Sequence, residues 1–321
     1  MSASSQSPSL ERFGLAVGHA TDAAGATGCT VVRGINTAHR AAAAVLGRAT
    51  GTRETALLEP GHLVERVDAV LLTGGSAYGL DAAAGVMRWM EERGRGFNVG
   101  AGVVPIVPAA VIFDLLPLGR FDARPTPQMA YDACESAQSS GIAEGCVGAG
   151  TGATVGKLRG AAGAMKGGLG ISVVEGHGCA AAAIAVVNAF GDVRDAQGQI
   201  IAGARLEDGS FVDSARAVAS GAPQGGFTAG TNTTLCVVAV DCALSRLELQ
   251  AVARSAGTGL LSRITPAGTQ ADGDVVFALA PMEGPKGSAA QAEQLARQAL
   301  EQAIERAVRL AVGRDGIPGL S

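Results

Sequence analysis

TNTTLCVVAVD, residues 231–241, reads as a buried strand that begins at Thr233 and carries no charge until Asp241. The segment before it, residues 204–232 (ARLEDGSFVDSARAVASGAPQGGFTAGTN), has the opposite character. It is polar, rich in small residues and without firm periodicity, and is expected to be a long exposed connection. Asn232-Thr233-Thr234 therefore stands at a junction between a mobile segment and the core. As plain structure, the triplet is a strand entry made of β-formers. As chemistry, it supports something more specific. A Thr hydroxyl held against its own preceding carbonyl can attack it, convert the amide to an ester and let water release the upstream chain. The freed Thr233 then has a hydroxyl and an α-amine of pKa roughly 7.7–8.0, a base suited to neutral pH. A hydroxyl is a weak nucleophile without a base, and this arrangement supplies one.

Further along the chain, Leu244–Ala256 reads as an amphipathic helix, Val275–Ala280 as a strand, and Ala289–Val312 as a long helix with Leu295, Leu300, Ile304, Val308 and Leu310 on its apolar side. Upstream, Gly14–Val17, Thr30–Val32, Asp68–Leu72 and Val103–Ile106 read as strands, and Tyr78–Arg93 and Arg124–Ser140 as helices. Gly168–Val174 and Ala181–Val187 form a buried pair around the Glu175–Gly178 turn.

Three further features sit beside the Asn232-Thr233 junction. Asp272-Gly273-Asp274 places two carboxylates around a glycine at a strand start, where both could face a Thr hydroxyl and its amine; it is also an ordinary exposed turn. Asn188 closes the apolar run AIAVVNAFGDV (residues 183–193), as a turn cap or as an amide donor to a developing oxyanion. Lys157 lies among glycine turns in GATVGK (residues 152–157), and Lys166 in GAMKGGLG (residues 163–170) competes with it for the same role.

Other patterns fail on inspection. GAGTGATVGK, residues 148–157, lacks the first glycine of a phosphate loop, which would fall at Thr151, and has Leu158 where Ser or Thr is needed. GGSAYG, residues 74–79, would need glycine at Tyr78 to be a nucleophile elbow. Six cysteines form no CxxC pair and do not cluster with the four histidines, so neither a metal site nor a cofactor is expected, and the thiols are expected to be reduced core residues.

Composition bounds the rest. Hydrophobic residues make up 47% of the 321 and charged residues 17%, enough for a large core, and aromatics only 3%, so Ala, Val, Leu and Ile must fill it. A net charge of -4 without a basic stripe argues against nucleic acid as a partner. No apolar run is long enough to span a bilayer, and the Ser-rich start lacks an apolar signal core. A cytoplasmic protein without membrane partners is expected, with residues 1–13 a disordered tail on a single domain spanning residues 1–321.

These stretches together resemble the DmpA-type family of self-processing aminopeptidases and amidases, which includes L-aminopeptidase/D-esterases, β-peptidyl aminopeptidases and nylon-oligomer hydrolases. The likeness runs from GLAVGHATD (residues 14–22) through LTGGSAYGLDAAAGV (residues 72–86), VPIVPAAVIFDL (residues 104–115), GATVGK and GAMKGGLG to NTTLCVVAVD and DGDVVFALA (residues 272–280). It implies an α/β (α+β) fold, a four-layer αββα sandwich of the DmpA/ornithine acetyltransferase type. It also implies cleavage into chains 1–232 and 233–321, assembly as a homo-oligomer of tetramer size or larger, and a small amide or peptide substrate. By this resemblance the nucleophile falls on Thr233, with Thr234 one register away. The oxyanion asparagine falls on Asn188, the lysine on Lys157 and the carboxylate pair on Asp272 and Asp274. Relatives that use a tyrosine oxyanion donor differ from this chain, which has Phe113 near that position. Two alternatives stand beside hydrolysis. One is acyl transfer from the same threonine, as in ornithine acetyltransferases. The other is nucleotide binding at the Gly148–Lys157 loop.

Overall fold

A computed structural model describes residues 8–221 and 230–321. Two sheets stack face to face, with helices on both outer sides. The first sheet runs in the order Leu15–Asp22, Thr27–Gly34, Ala69–Thr73, Ala109–Val111, Thr52–Arg53. The second runs Gly168–Glu175, Ala180–Asn188, Thr233–Val240, Val275–Pro281, His39–Val45, Arg66–Val67. Neighbours are antiparallel except Thr233–Val240 beside Val275–Pro281 and Ala69–Thr73 beside Ala109–Val111.

Strand alternation sorts the side chains into layers. Leu235, Val237, Val275, Phe277, Ile184 and Val186 face inward and meet Val17, Val32 and Leu72 of the first sheet. Their alternates Cys236, Val238, Val276, Ala183 and Ala185 face helices Arg246–Arg263 and Ala289–Arg309. On the far side, Val31, Leu71 and Ala109 pack against Val86, Met90 and Ala133 of helices Ala83–Glu91 and Pro127–Glu135. The result is the expected four-layer αββα sandwich. Each fully buried Leu, Val or Phe stabilises it by about 1.5–3 kcal/mol relative to exposure. Glycine lets layers without large aromatics close up. A Cβ on Gly170 would lie 2.2 Å from the Ala303 carbonyl oxygen, so the long C-terminal helix rests on bare strand backbone.

Several local expectations change. Among the described residues Val103–Val104 pairs only with Phe97–Asn98, while the sheet strand starts at Ala109. Pro105 and Pro108 carry no N–H for a ladder, so pairing waits until both are passed. His39–Val45, an alanine run without β-branched residues until its end, escaped the sequence reading yet pairs along the whole of Val275–Pro281. The expected connection 204–232 is not uniformly exposed. Ser214–Ala219 is helical, and buried Asp192 accepts hydrogen bonds from the Ser214 N–H and hydroxyl at 2.6 and 2.8 Å. Thr231 and Asn232 are also buried, and residues 222–229 lie outside the described residues. The tail expected over residues 1–13 is packed where it is described. Leu10 and Phe13 are buried in the inter-sheet core, and residues 1–7 lie outside the description. Among the described residues no helix is long and apolar enough to cross a membrane.

Candidate active site

Thr233 is the first residue of its strand and stands directly opposite Asn188, the last residue of the neighbouring strand. Alternation puts Thr233 on the face of Leu235 and Val237, between the sheets, and Thr234 on the face of Cys236, under the helices. The two threonines are thus in different layers. The Thr233 hydroxyl donates to the carbonyl oxygen of Asn232 at 2.6 Å. The same oxygen accepts from the Gly273 N–H at 2.8 Å. Asn232 bridges Asp272 in parallel fashion and the Gly230 N–H reaches the Ala271 carbonyl at 3.2 Å, so the chain entering Thr233 lies as a short strand along residues 271–273. A Cβ on Gly273 would sit 2.7 Å from the Thr233 hydroxyl oxygen, which explains why glycine separates the two aspartates.

Lys157 is turned inward. Its Nζ donates to the Asn188 side-chain oxygen at 2.8 Å, the Asn188 carbonyl at 3.0 Å and the Thr231 carbonyl at 3.2 Å. Burial pushes its amine down to about 7, against the pull of the negative charge of Asp272. The Thr154 N–H also donates to the Asn188 oxygen, at 3.1 Å. With that oxygen committed, the Asn188 NH2 faces the carbonyls of Phe113 at 3.1 Å and Thr231 at 3.3 Å. Phe113 thus joins the site through its backbone. The rival lysine, Lys166, donates to Thr151 and Ala153 carbonyls, and its hydrogen bonds do not reach residues 231–233. Because Lys157 points into the core, the Gly148–Lys157 loop does not offer it to a phosphate in solvent.

Both aspartates are buried. Asp274 accepts from the Thr234 N–H at 2.6 Å and the Gly268 N–H at 2.9 Å. Burial, then repulsion from Asp272, raises its carboxyl to about 7. Asp272 accepts from the N–H and hydroxyl of Thr269 at 2.9 and 2.7 Å. The expected contact of this pair with the Thr233 hydroxyl is absent among the hydrogen bonds of the described residues. In the continuous chain that hydroxyl is engaged by the Asn232 carbonyl, and the carboxylates brace the surrounding backbone. Asn188 and Lys157 nevertheless meet on the Thr231 carbonyl just before Asn232-Thr233, and the two aspartates flank the Gly273 whose N–H meets the Asn232 carbonyl. The Gly273 N–H and the Thr231 carbonyl belong to the same cluster and were missed from sequence. Backbone groups leave no residue-type signal, although a glycine flanked by two acids hinted at a close approach.

Comparison with known proteins identifies the family and the fold. The sequence matches the pattern of peptidase family S58 over residues 13–314. It is 45% identical over 241 residues to an uncharacterised aminopeptidase of Mycobacterium tuberculosis, covering 73% of this chain and 67% of that one. A 6-aminohexanoate-oligomer endohydrolase of Kocuria sp. is 29% identical over 284 residues, covering 83% and 72%. Among solved structures, the L-aminopeptidase D-Ala-esterase/amidase of Ochrobactrum anthropi, described as a variant of the N-terminal-nucleophile hydrolase fold, superposes with a TM-score of 0.71 at 19% identity, covering 97% and 89%. A Burkholderia sp. beta-aminopeptidase superposes with a TM-score of 0.69 at 18% identity, covering 100% and 93%. The layered fold is shared with these structures, and the match along the sequence makes this chain a member of peptidase family S58, a hydrolase of peptide-type amide bonds.

Proposed function

We propose that the protein cuts itself between Asn232 and Thr233 and then hydrolyses small peptides or related linear amides through an acyl-enzyme on Thr233. One observation carries the reading: the Thr233 hydroxyl and the Gly273 N–H converge on the Asn232 carbonyl oxygen at 2.6 and 2.8 Å. The hydroxyl is at the carbonyl it would attack, and the N–H is placed to stabilise the charge that attack would put on the oxygen. The ester formed when the Asn232 acyl group moves to Thr233 is chemically an acyl-enzyme, so one deacylation step serves both self-cleavage and turnover. After scission the Thr233 amine becomes the base for its own hydroxyl.

The other candidates take supporting roles in this reading. Lys157, lowered to about 7, can exchange a proton near neutral pH and, when charged, favours negative charge building up beside it. Asn188 keeps Lys157 in place and holds the Thr231 carbonyl, which fixes the strand that presents the scissile bond. Asp272 and Asp274 set the field into which the new ammonium is born. The same reading places the protein in the cytoplasm as a homo-oligomer of tetramer size or larger. The exposed apolar residues Leu63, Phe97, Val99 and Val104 support assembly.

The test is a denaturing gel with intact-mass analysis. Wild type should yield two fragments, the smaller starting at Thr233, and Thr233→Ala should remain whole and inactive. A wild-type chain that turns over amides while staying continuous would defeat the reading.

A further inference from the structure

Cys179 and Cys242 lie outside the catalytic cluster, at the opposite end of the two strands that carry Asn188 and Thr233. The antiparallel register pairs Ala181 with Val240, and extending it by two residues sets Cys179 opposite Cys242. The contact continues there, because the Asp241 N–H donates to the Ala180 carbonyl at 3.3 Å and the Ala180 N–H to the Asp241 carboxylate at 2.8 Å. The two sulfurs are 3.7 Å apart and both residues are buried. Directly opposed residues on antiparallel strands have Cα atoms about 4.5–5.5 Å apart. That separation falls inside the range of about 4.4–6.8 Å that a disulfide spans. Gly287 closes over the pair so tightly that a Cβ there would lie 2.3 Å from the Cys242 sulfur.

We propose that Cys179 and Cys242 form a reversible disulfide which, in the self-cleaved protein, joins the large chain to the small one. The joining rests on cleavage at Asn232-Thr233, since Cys179 precedes the cut and Cys242 follows it. The disulfide itself does not depend on the cut. Asp241 completes a set of three ligand atoms within 4.8 Å of one another, a candidate metal cluster. Its carboxylate is already engaged, with one oxygen on the Ala180 N–H and the other on the Arg12 guanidinium at 2.6 Å. Apart from a long contact of the Cys179 thiol with the Ala180 carbonyl at 3.7 Å, the two sulfurs face each other.

The oxidant class is a small-molecule disulfide such as oxidised glutathione. The Cys179 thiolate attacks one glutathione sulfur and expels the first glutathione thiol. The Cys242 thiolate then attacks the Cys179 sulfur and expels the second. Two electrons and two protons pass to the oxidant in total. Burial holds the Cys179 thiol up at about 12, which keeps it protonated while the strand ends are closed. Exchange therefore runs through opening of those ends, next to the exposed Glu175–Gly178 turn.

The test treats native wild type with oxidised glutathione, blocks remaining thiols with an alkylating agent, and divides the sample between a non-reducing denaturing gel and a proteolytic peptide map. The expected result is one joined species without reductant and two chains with it. The map should contain a cross-linked peptide holding Cys179 and Cys242. Cys242→Ser should run as two chains in both gels, and Cys134→Ser should behave as wild type. Recovery of both peptides alkylated after oxidation overturns the proposal, whether the sulfurs were idle or held a stoichiometric metal. A single band with and without reductant signals failure of the self-cleavage reading instead, and the peptide map still decides the disulfide.

Discussion

Asn188 and Thr233 face each other across two central strands of the second sheet, yet the Asn188 amide reaches the carbonyl of Thr231 rather than the one Thr233 would attack. The donor on the Asn232 carbonyl is the Gly273 N–H. In the continuous chain, two donors that a sequence reading would merge into one oxyanion site therefore hold successive links of the entering strand. Asn188 anchors the strand, and the Gly273 N–H holds the carbonyl that the proposed attack needs polarised.

Asn188→Ala should uncouple the anchor. It takes one of several acceptors from the Lys157 amine and removes the acceptor of the Thr154 N–H, at about 1–3 kcal/mol for a buried group left unsatisfied. Melting of the variant in an uncut Thr233→Ala background should fall by several degrees. In the otherwise native chain, the fraction cut after a fixed time should fall as well. An unchanged melting point together with normal cutting would remove Asn188 from the site.

Thr234→Val should do little. The Thr234 side chain lies on the helix-facing side of its strand, with Cys236, and Val keeps its shape. Its N–H, which donates to Asp274, is untouched. Cutting and turnover should stay within a few-fold of wild type by gel and amide-hydrolysis assay. Loss of both would move the nucleophile one residue along.

Individual strands and helices were legible in sequence because period-two alternation and long apolar helices are local signals, whereas their stacking into four layers came from the family resemblance. Val275–Ala280 and Ala289–Val312 were placed to within three residues at each end. Prolines explain the shift from Val103–Ile106 to Ala109–Val111, and that rule could have been applied in advance. His39–Val45 was illegible because alanine favours no strand, and it becomes one by pairing with Val275–Pro281 along its whole length and with Arg66–Val67 at its start. At the site, side-chain chemistry pointed to Thr233, Asn188, Lys157 and the two aspartates. What each one touches depends on register and on backbone donors, which composition and spacing do not encode.

Gly273→Ala should separate cutting from folding. The added methyl would lie 2.7 Å from the Thr233 hydroxyl oxygen and 2.9 Å from the Ala49 carbonyl, so the turn must shift. A shift of a few tenths of an ångström spoils both the hydroxyl's approach and the N–H to the Asn232 oxygen. Loss of one oxyanion donor costs on the order of 10²–10³ in rate. Fresh protein followed over time by denaturing gel should show cutting slowed by about that factor, while circular dichroism stays native. Cutting at the wild-type rate would exclude the Gly273 N–H as the donor.

Lys157 should leave a mark on stability against pH. Its amine is lowered in the folded protein to about 7, by burial before any other cause, from an ordinary value of 10.5. Between those values the unfolded chain holds a proton that the folded chain does not, so stability rises with pH across this window and is lost as pH falls towards 7. The scale is about 1.4 kcal/mol for each tenfold change in proton affinity, enough to see by melting. In the uncut Thr233→Ala background, the Tm of the Lys157 protein minus that of Lys157→Met should climb from pH 7 to pH 10 and level off below 7. Asp274 is present in both proteins, so to first order its own titration cancels in the difference. A difference that stays flat from pH 7 to pH 10 would mean that the amine keeps its ordinary affinity for protons. In that case Lys157 would serve the site only as a fixed cation and could not exchange a proton with it near neutral pH.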